Sequence, residues 1–137
     1  MRYTYYGSYL PDEREVYLTA RDESGASVGY ASALVGSAAM IADYLRTWKM
    51  PGSARITGQR VAYISAAEVD RNARRDHVGS GLLLRLFTLL NAQSVDVVYL
   101  HADRSEEQWH RAGFRRIKTG DAITDSSMPL MKLRLKR

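Results

Sequence analysis

The sequence contains no cysteine, which excludes disulfides, thiolate metal sites and a cysteine nucleophile. Histidine is scarce, and His77, His101 and His110 stand at no recognisable ligand spacing, so no metal is expected. No run approaches the roughly 18 uninterrupted apolar residues of a membrane span. The opening Met1-Arg2-Tyr3-Thr4-Tyr5-Tyr6 lacks the apolar core and small-residue cleavage site of a signal peptide. A cytoplasmic protein without a membrane partner is the expectation. Polyproline, glycine-rich and single-charge tracts are missing too, as are internal repeats.

What remains is ordinary globular material. The 137 residues are one domain's worth, read as a single domain over 1–137. An apolar fraction of 45% and a charged fraction of 26% exclude collagen-like and largely disordered chains. Twenty Lys and Arg against fifteen Asp and Glu give a formal net charge of +5. A basic balance favours anionic partners such as nucleotides, nucleic acid or a phosphorylated cofactor. Solubility alone explains the same charge, so where the positives cluster carries more weight.

Residues Val16–Arg21 and Val28–Leu34 alternate as two strands of a hairpin, joined by the polar turn Asp22-Glu23-Ser24-Gly25. The tyrosine-rich Arg2–Tyr9 reads as a strand before them. Ser37 caps a helix from Ala38 to about Lys49, with Met40, Ile41, Tyr44, Leu45 and Trp48 on one face and Pro51-Gly52 as its stop. Arg60–Val69 is a strand with Val61, Tyr63, Ser65, Ala67 and Val69 on one side. Leu82–Leu90 reads as a helix apolar nearly all round and buried on most sides. Val95–His101 is a buried, parallel strand. Ser105 caps a short helix through Ala112 that Gly113 ends. Phe114–Ile117 and Met128–Leu135 complete the strands. The pattern is α+β or α/β.

The chemistry concentrates between Val69 and Leu83. A strand passes through a loop holding Arg71, Arg74 and Arg75 and reaches Gly79-Ser80-Gly81 at the start of the buried helix. A helix start offers unpaired N–H groups and the positive end of the dipole. Small residues let a phosphate approach that backbone, and guanidinium groups add charge-assisted contacts. No Gly-Lys-Ser/Thr follows, so this is not a Walker loop, and the glycine spacing is not that of the dinucleotide fingerprint.

Arg74-Arg75-Asp76-His77-Val78-Gly79, continued by Ser80-Gly81-Leu82-Leu83, resembles the Arg/Gln-x-x-Gly-x-Gly/Ala loop of the GNAT superfamily of acyl-CoA-dependent N-acyltransferases. The hairpin Leu18–Tyr30, the strand Tyr99-Leu100-His101-Ala102, the segment Trp109-His110-Arg111-Ala112-Gly113-Phe114 and the last strand Met131–Leu135 follow the family's order. The resemblance covers about residues 16–135. It implies an α/β/α arrangement: a mixed, mostly antiparallel sheet of six to seven strands, splayed between the fourth and fifth, with flanking helices. It implies acetyl-CoA as co-substrate, without a metal, and an amine acceptor, either a small molecule or a protein amine. Backbone N–H groups of Asp76, His77, Val78, Gly79, Ser80 and Gly81 would hold the pyrophosphate, flanked by Arg74 and Arg75. The pantetheine arm would pair with backbone around Ala67–Val69. The helix over residues 37–50 stands where the family often has a short turn, and is read as shaping an acceptor pocket or a homodimer interface.

Two residues depart from the family pattern. His77 occupies the first glycine position, and Trp109 stands where the family usually has a tyrosine acid. Indole cannot protonate a thiolate, because its N–H is only a donor; Trp109 is read either as packing against the cofactor arm or as core. Glu68, a carboxylate in an otherwise apolar strand, is the first candidate base. His101, at the C-terminal end of a parallel strand, is the second candidate, as base or acid. Asp103 and His110 are weaker. The leading reading is an N-acetyltransferase. A non-catalytic acyl-CoA-binding module is the alternative, and a nucleic-acid-binding domain, motivated by the arginines, the remote one.

Overall fold

The computed structural model describes residues 2–10, 14–103 and 105–135, with the side chains of residues 9, 10 and 75 outside the description. Seven strands form one mixed sheet: β1 (Thr4–Leu10), β2 (Glu15–Arg21), β3 (Ser27–Gly36), β4 (Val61–Val69), β5 (Val97–His101), β6 (Arg115–Ile117) and β7 (Leu130–Arg134). Their order is β1-β2-β3-β4-β5-β7-β6. Four α-helices accompany them: α1 (Ala38–Thr47), α2 (Val78–Ala92), α3 (Glu106–Arg111) and α4 (Ala122–Ser127). The expected sheet is thus present, with β4–β5 parallel and the pairs β1–β2, β2–β3, β5–β7 and β6–β7 antiparallel. Among the described residues no helix is long and apolar enough to cross a membrane.

The chain divides into two compact units, Met1–Val35 with Ile64–Ser94, and Gly36–Tyr63 with Val95–Arg137. In the first unit β2 alternates strictly. Val16, Leu18 and Ala20 are buried while Tyr17 and Arg21 are exposed, as a sheet covered on one face requires. The β2–β3 turn closes through Gly25, whose φ of 86° suits glycine, with Gly25 N–H donating to Asp22 O at 3.0 Å. Helix α2 packs on this sheet through Val78, Leu82, Leu86 and Leu90, one residue per turn. The expectation of burial on most sides is corrected here, because Leu84 is 66% exposed and a single sheet covers only one stripe. A Cβ at Gly29 would sit 3.1 Å from Leu82 Cδ1, so glycine there lets the helix approach closely.

In the second unit Ser37 Oγ accepts from Met40 N–H at 3.1 Å, the expected cap of α1. Ile41, Ala42 and Leu45 are buried, but Trp48 is 67% exposed. Trp48, the C-cap of α1, still donates its N–H to Tyr44 O at 3.1 Å, so it continues the half-buried Tyr44 edge of the stripe and not its buried centre. The parallel ladder pairs Val61, Ala62 and Tyr63 with Val97, Val98 and Tyr99. Tyr99 is fully buried, and its hydroxyl accepts from Thr57 N–H and donates to Thr57 O, both at 3.0 Å. Ser105, expected to cap α3, makes no side-chain capping bond; its Oγ accepts from Trp109 Nε1 at 2.9 Å instead. Helix α4, without apolar periodicity, is held by polar contacts. Asp121 accepts from Thr124 N–H at 2.8 Å, and the Asp125 carboxylate receives Thr119 N–H at 2.9 Å. Those backbone bonds hold both carboxyls below the usual aspartate range.

Candidate functional site

In the first unit β4 leads through a short 3₁₀ segment, Arg71–Asp76, directly into α2. The residue between them, His77, has φ 60° and ψ 28°. The position where the resemblance places glycine does have left-handed backbone, and histidine is among the residues that tolerate it best after glycine. Its exposed side chain gives α2 no capping hydrogen bond. The first bond within the helix is Gly81 N–H to His77 O at 3.1 Å. Val78, Gly79 and Ser80 therefore occupy the first turn, where N–H groups have no partner inside the helix. Gly81 is corrected on this point, since its N–H is already used.

The two glycines at the start of α2 differ in their surroundings. A Cβ at Gly81 would lie 2.2 Å from the Tyr5 hydroxyl, so Gly81 makes room for a tyrosine of β1. A Cβ at Gly79 would meet nothing nearer than Val69 Cγ2 at 3.6 Å, so the protein's own packing does not demand glycine there. Arg85 stacks over the Tyr5 ring, with Cζ 3.8 Å from its centre. Tyr3 Oη donates to the Asp76 carboxylate, and that bond above all pushes the phenol up to about 12.

The remaining predicted residues of this unit lie where β4 ends. Ala67 and Glu68 are exposed and Val69 half-buried. Glu68, the first candidate base, thus stands in solvent although its strand is otherwise apolar. Arg74 is exposed, and its Nε donates to Val69 O at 3.0 Å, tying the 3₁₀ segment to the strand it leaves. Arg71 is exposed as well. The side chain of Arg75 lies outside the described residues. An open first turn, an empty Cβ position and exposed guanidinium groups suit a diphosphate.

In the second unit His101 is engaged at both ring nitrogens. Nε2 lies 3.0 Å from Pro51 O, and Nδ1 lies 2.7 Å from Tyr63 Oη. A carbonyl can only accept, so Nε2 carries the proton and Nδ1 accepts the Tyr63 hydroxyl. Tyr63 is buried, and burial raises its phenol well above the ordinary value. Tyr44 lies against Tyr63 with ring centres 5.9 Å apart, and Trp48 against Tyr44 at 6.4 Å. Sequence reasoning missed Tyr63 and Pro51 as partners of His101; they stand 38 and 50 residues away from it, and no local spacing announces them. Trp109 packs edge-on against buried Phe114 at 5.4 Å with its N–H spent on Ser105. Asp103 and His110 are exposed. Among the described residues no group of His, Asp and Glu could hold a metal.

Burial pushes the His101 imidazole below its ordinary 6.5, against a smaller opposing effect of the Pro51 carbonyl. The unfolded chain then takes up a proton that the folded ring resists. The contribution of the neutral ring is complete above about pH 6.5 and declines as pH falls below it. Thermal melts from about pH 7 to about pH 5 should show this decline, and His101→Gln should flatten it. An equal slope in the variant would assign the decline to other groups.

No protein-family model matches the sequence, and no curated protein is similar to it. Solved structures are similar in fold. A GNAT-family acetyltransferase from Staphylococcus aureus aligns with TM-score 0.65 at 18% identity, over 92% of this chain and 71% of its own. The ribosomal-protein-S18-alanine N-acetyltransferase of Escherichia coli aligns with TM-score 0.67 at 14% identity, over 99% of this chain and 96% of its own. The PaiA N-acetyltransferase of Thermoplasma acidophilum, solved in complex with coenzyme A, aligns with TM-score 0.64 at 12% identity, over 91% and 64%. The seven-stranded mixed sheet with parallel β4 and β5 is the GNAT fold.

Proposed function

We propose that the chain is an acetyl-CoA-dependent N-acetyltransferase in which a primary amine attacks the thioester directly. The observation that carries this reading is the start of α2 on a GNAT fold. There an uncapped first turn, a glycine that internal packing does not require and exposed arginines coincide. The N–H groups of Val78, Gly79 and Ser80 would hold the diphosphate of coenzyme A, with Arg71, Arg74 and Arg75 supplying charge. The neighbouring structure solved with coenzyme A supports that ligand. The pantetheine arm would pair with β4 backbone around Ala67–Val69, competing at Val69 O with Arg74.

Bound acetyl-CoA supplies an activated acyl group. What the chain must add is modest. The attacking amine has to lose a proton, and Glu68, exposed beside the β4 backbone that would hold the arm, is the base of this proposal. His101, the second candidate, has both ring nitrogens engaged, by Pro51 O and Tyr63 Oη, and is given no step. A thiol's pKa of about 8.5 makes the departing thiolate a weak base, so loss of a tyrosine acid at position 109 is chemically tolerable.

Calorimetry with coenzyme A, followed by thiol release across small amines and N-terminal peptide amines, tests the reading. Glu68→Gln should lower kcat by about a hundredfold and leave coenzyme A affinity unchanged. Wild-type protein whose melting is indifferent to coenzyme A would overturn the proposal. Trp109 and His77, in place of the tyrosine and glycine of the family pattern, motivate one second reading, an acyl-CoA binder without turnover; it is separated by binding without thiol release on any amine.

A further inference from the structure

Asp76 directly precedes the N-cap of α2. An ionised carboxylate at that place is drawn to the positive helix end and to its unpaired N–H groups. The same charge would repel a phosphate there. In this structure the carboxylate accepts the hydroxyl of Tyr3, 73 residues away in sequence. Tyr3 stands just before β1 and meets the 3₁₀ segment, while Tyr5 on that strand meets α2 itself, against Gly81 and beneath Arg85. The contact is therefore part of how β1 docks on the helix start.

We propose that Tyr3 is a positioning residue of the anion site. Its hydroxyl holds the Asp76 carboxylate away from the first turn of α2, and so keeps an internal competitor off the N–H groups that a diphosphate would use. The inference rests on the diphosphate reading of that turn. The raised phenol pKa fits a tyrosine that keeps its proton and remains the donor throughout the neutral range. Tyr3 makes no contact with the ligand in this account; its effect passes through Asp76 alone.

That dependence on Asp76 supplies the test. Coenzyme A binding is measured by calorimetry for the wild type, Tyr3→Phe, Asp76→Ala and the double variant, with a thermal melt of each to verify folding. Tyr3→Phe should bind about fivefold more weakly, the scale of one lost hydrogen bond. Asp76→Ala should bind more tightly than wild type. In the double variant the Tyr3→Phe penalty should vanish, because no carboxylate remains to be released. A penalty that persists in the Asp76→Ala background, or no penalty at all, overturns the positioning role while wild-type binding stands. Failure of the wild type to bind coenzyme A overturns the diphosphate reading itself, and this inference falls with it.

Discussion

Gly79→Leu should weaken coenzyme A binding by at least about a hundredfold while the protein stays folded. The two halves of that expectation have separate grounds. Folding survives because a Cβ at residue 79 has ordinary van der Waals distance to Val69, its nearest neighbour. Replacing glycine inside a helix also removes an entropic cost of about 1 kcal/mol. Binding fails because a leucine side chain would stand among the N–H groups of Val78, Gly79 and Ser80, where the proposal places phosphate oxygens. Gly81→Leu is the contrasting variant. Its side chain would drive into the Tyr5 ring that Arg85 covers, so its melting temperature should fall sharply. Calorimetry and thermal melts on the two proteins check both halves. Wild-type affinity in Gly79→Leu would remove the start of α2 as the anion site, whatever the fold implies.

These two glycines also show where sequence reasoning reaches its limit. The strand, arginine-rich segment and glycine-bearing helix start were legible, because composition changes abruptly along a contiguous stretch. Which of the two glycines internal packing requires is decided by Tyr5 of β1, more than 70 residues upstream. The same holds for Tyr3 with Asp76, and for His101 with Tyr63 and Pro51. Secondary structure followed a similar rule. Helix α1 was readable from Ser37, its apolar stripe and Pro51-Gly52, since all three signals are local. Trp48 keeps the helical spacing yet is exposed, because only the Ile41, Ala42 and Leu45 part of the stripe is covered. Helix α4 had no apolar period to read; Asp121, Thr124, Thr119 and Asp125 build it from hydrogen bonds. Ser105 looked like a cap until Trp109, one turn on, claimed its hydroxyl. Polar side chains choose among several neighbours, and the choice is made by packing.

Leu86→Ala should cost about 3 kcal/mol and lower the melting temperature by roughly 10 °C, whereas Leu84→Ala should cost less than about 0.5 kcal/mol. The two leucines flank Arg85 in one leucine-rich stretch of the sequence. In the structure Leu86 is 0% exposed and Leu84 66% exposed. Truncating Leu86 removes buried methyl groups and leaves a void between α2 and the sheet, so transfer and cavity terms add. Truncating Leu84 exchanges one hydrated side chain for a smaller one. The pair bears on function because Val78, the first residue of α2, belongs to the same buried row as Leu82, Leu86 and Leu90. That row fixes where the first-turn N–H groups stand. Coenzyme A affinity in Leu86→Ala should stay within about threefold of wild type below its melting transition, since Val78 and Leu82 still anchor the helix start. Chemical denaturation with and without coenzyme A separates the two quantities. Equal losses at Leu84 and Leu86 would contradict the one-sided burial of α2, and a collapse of affinity in Leu86→Ala would mean that the helix start has no anchor of its own.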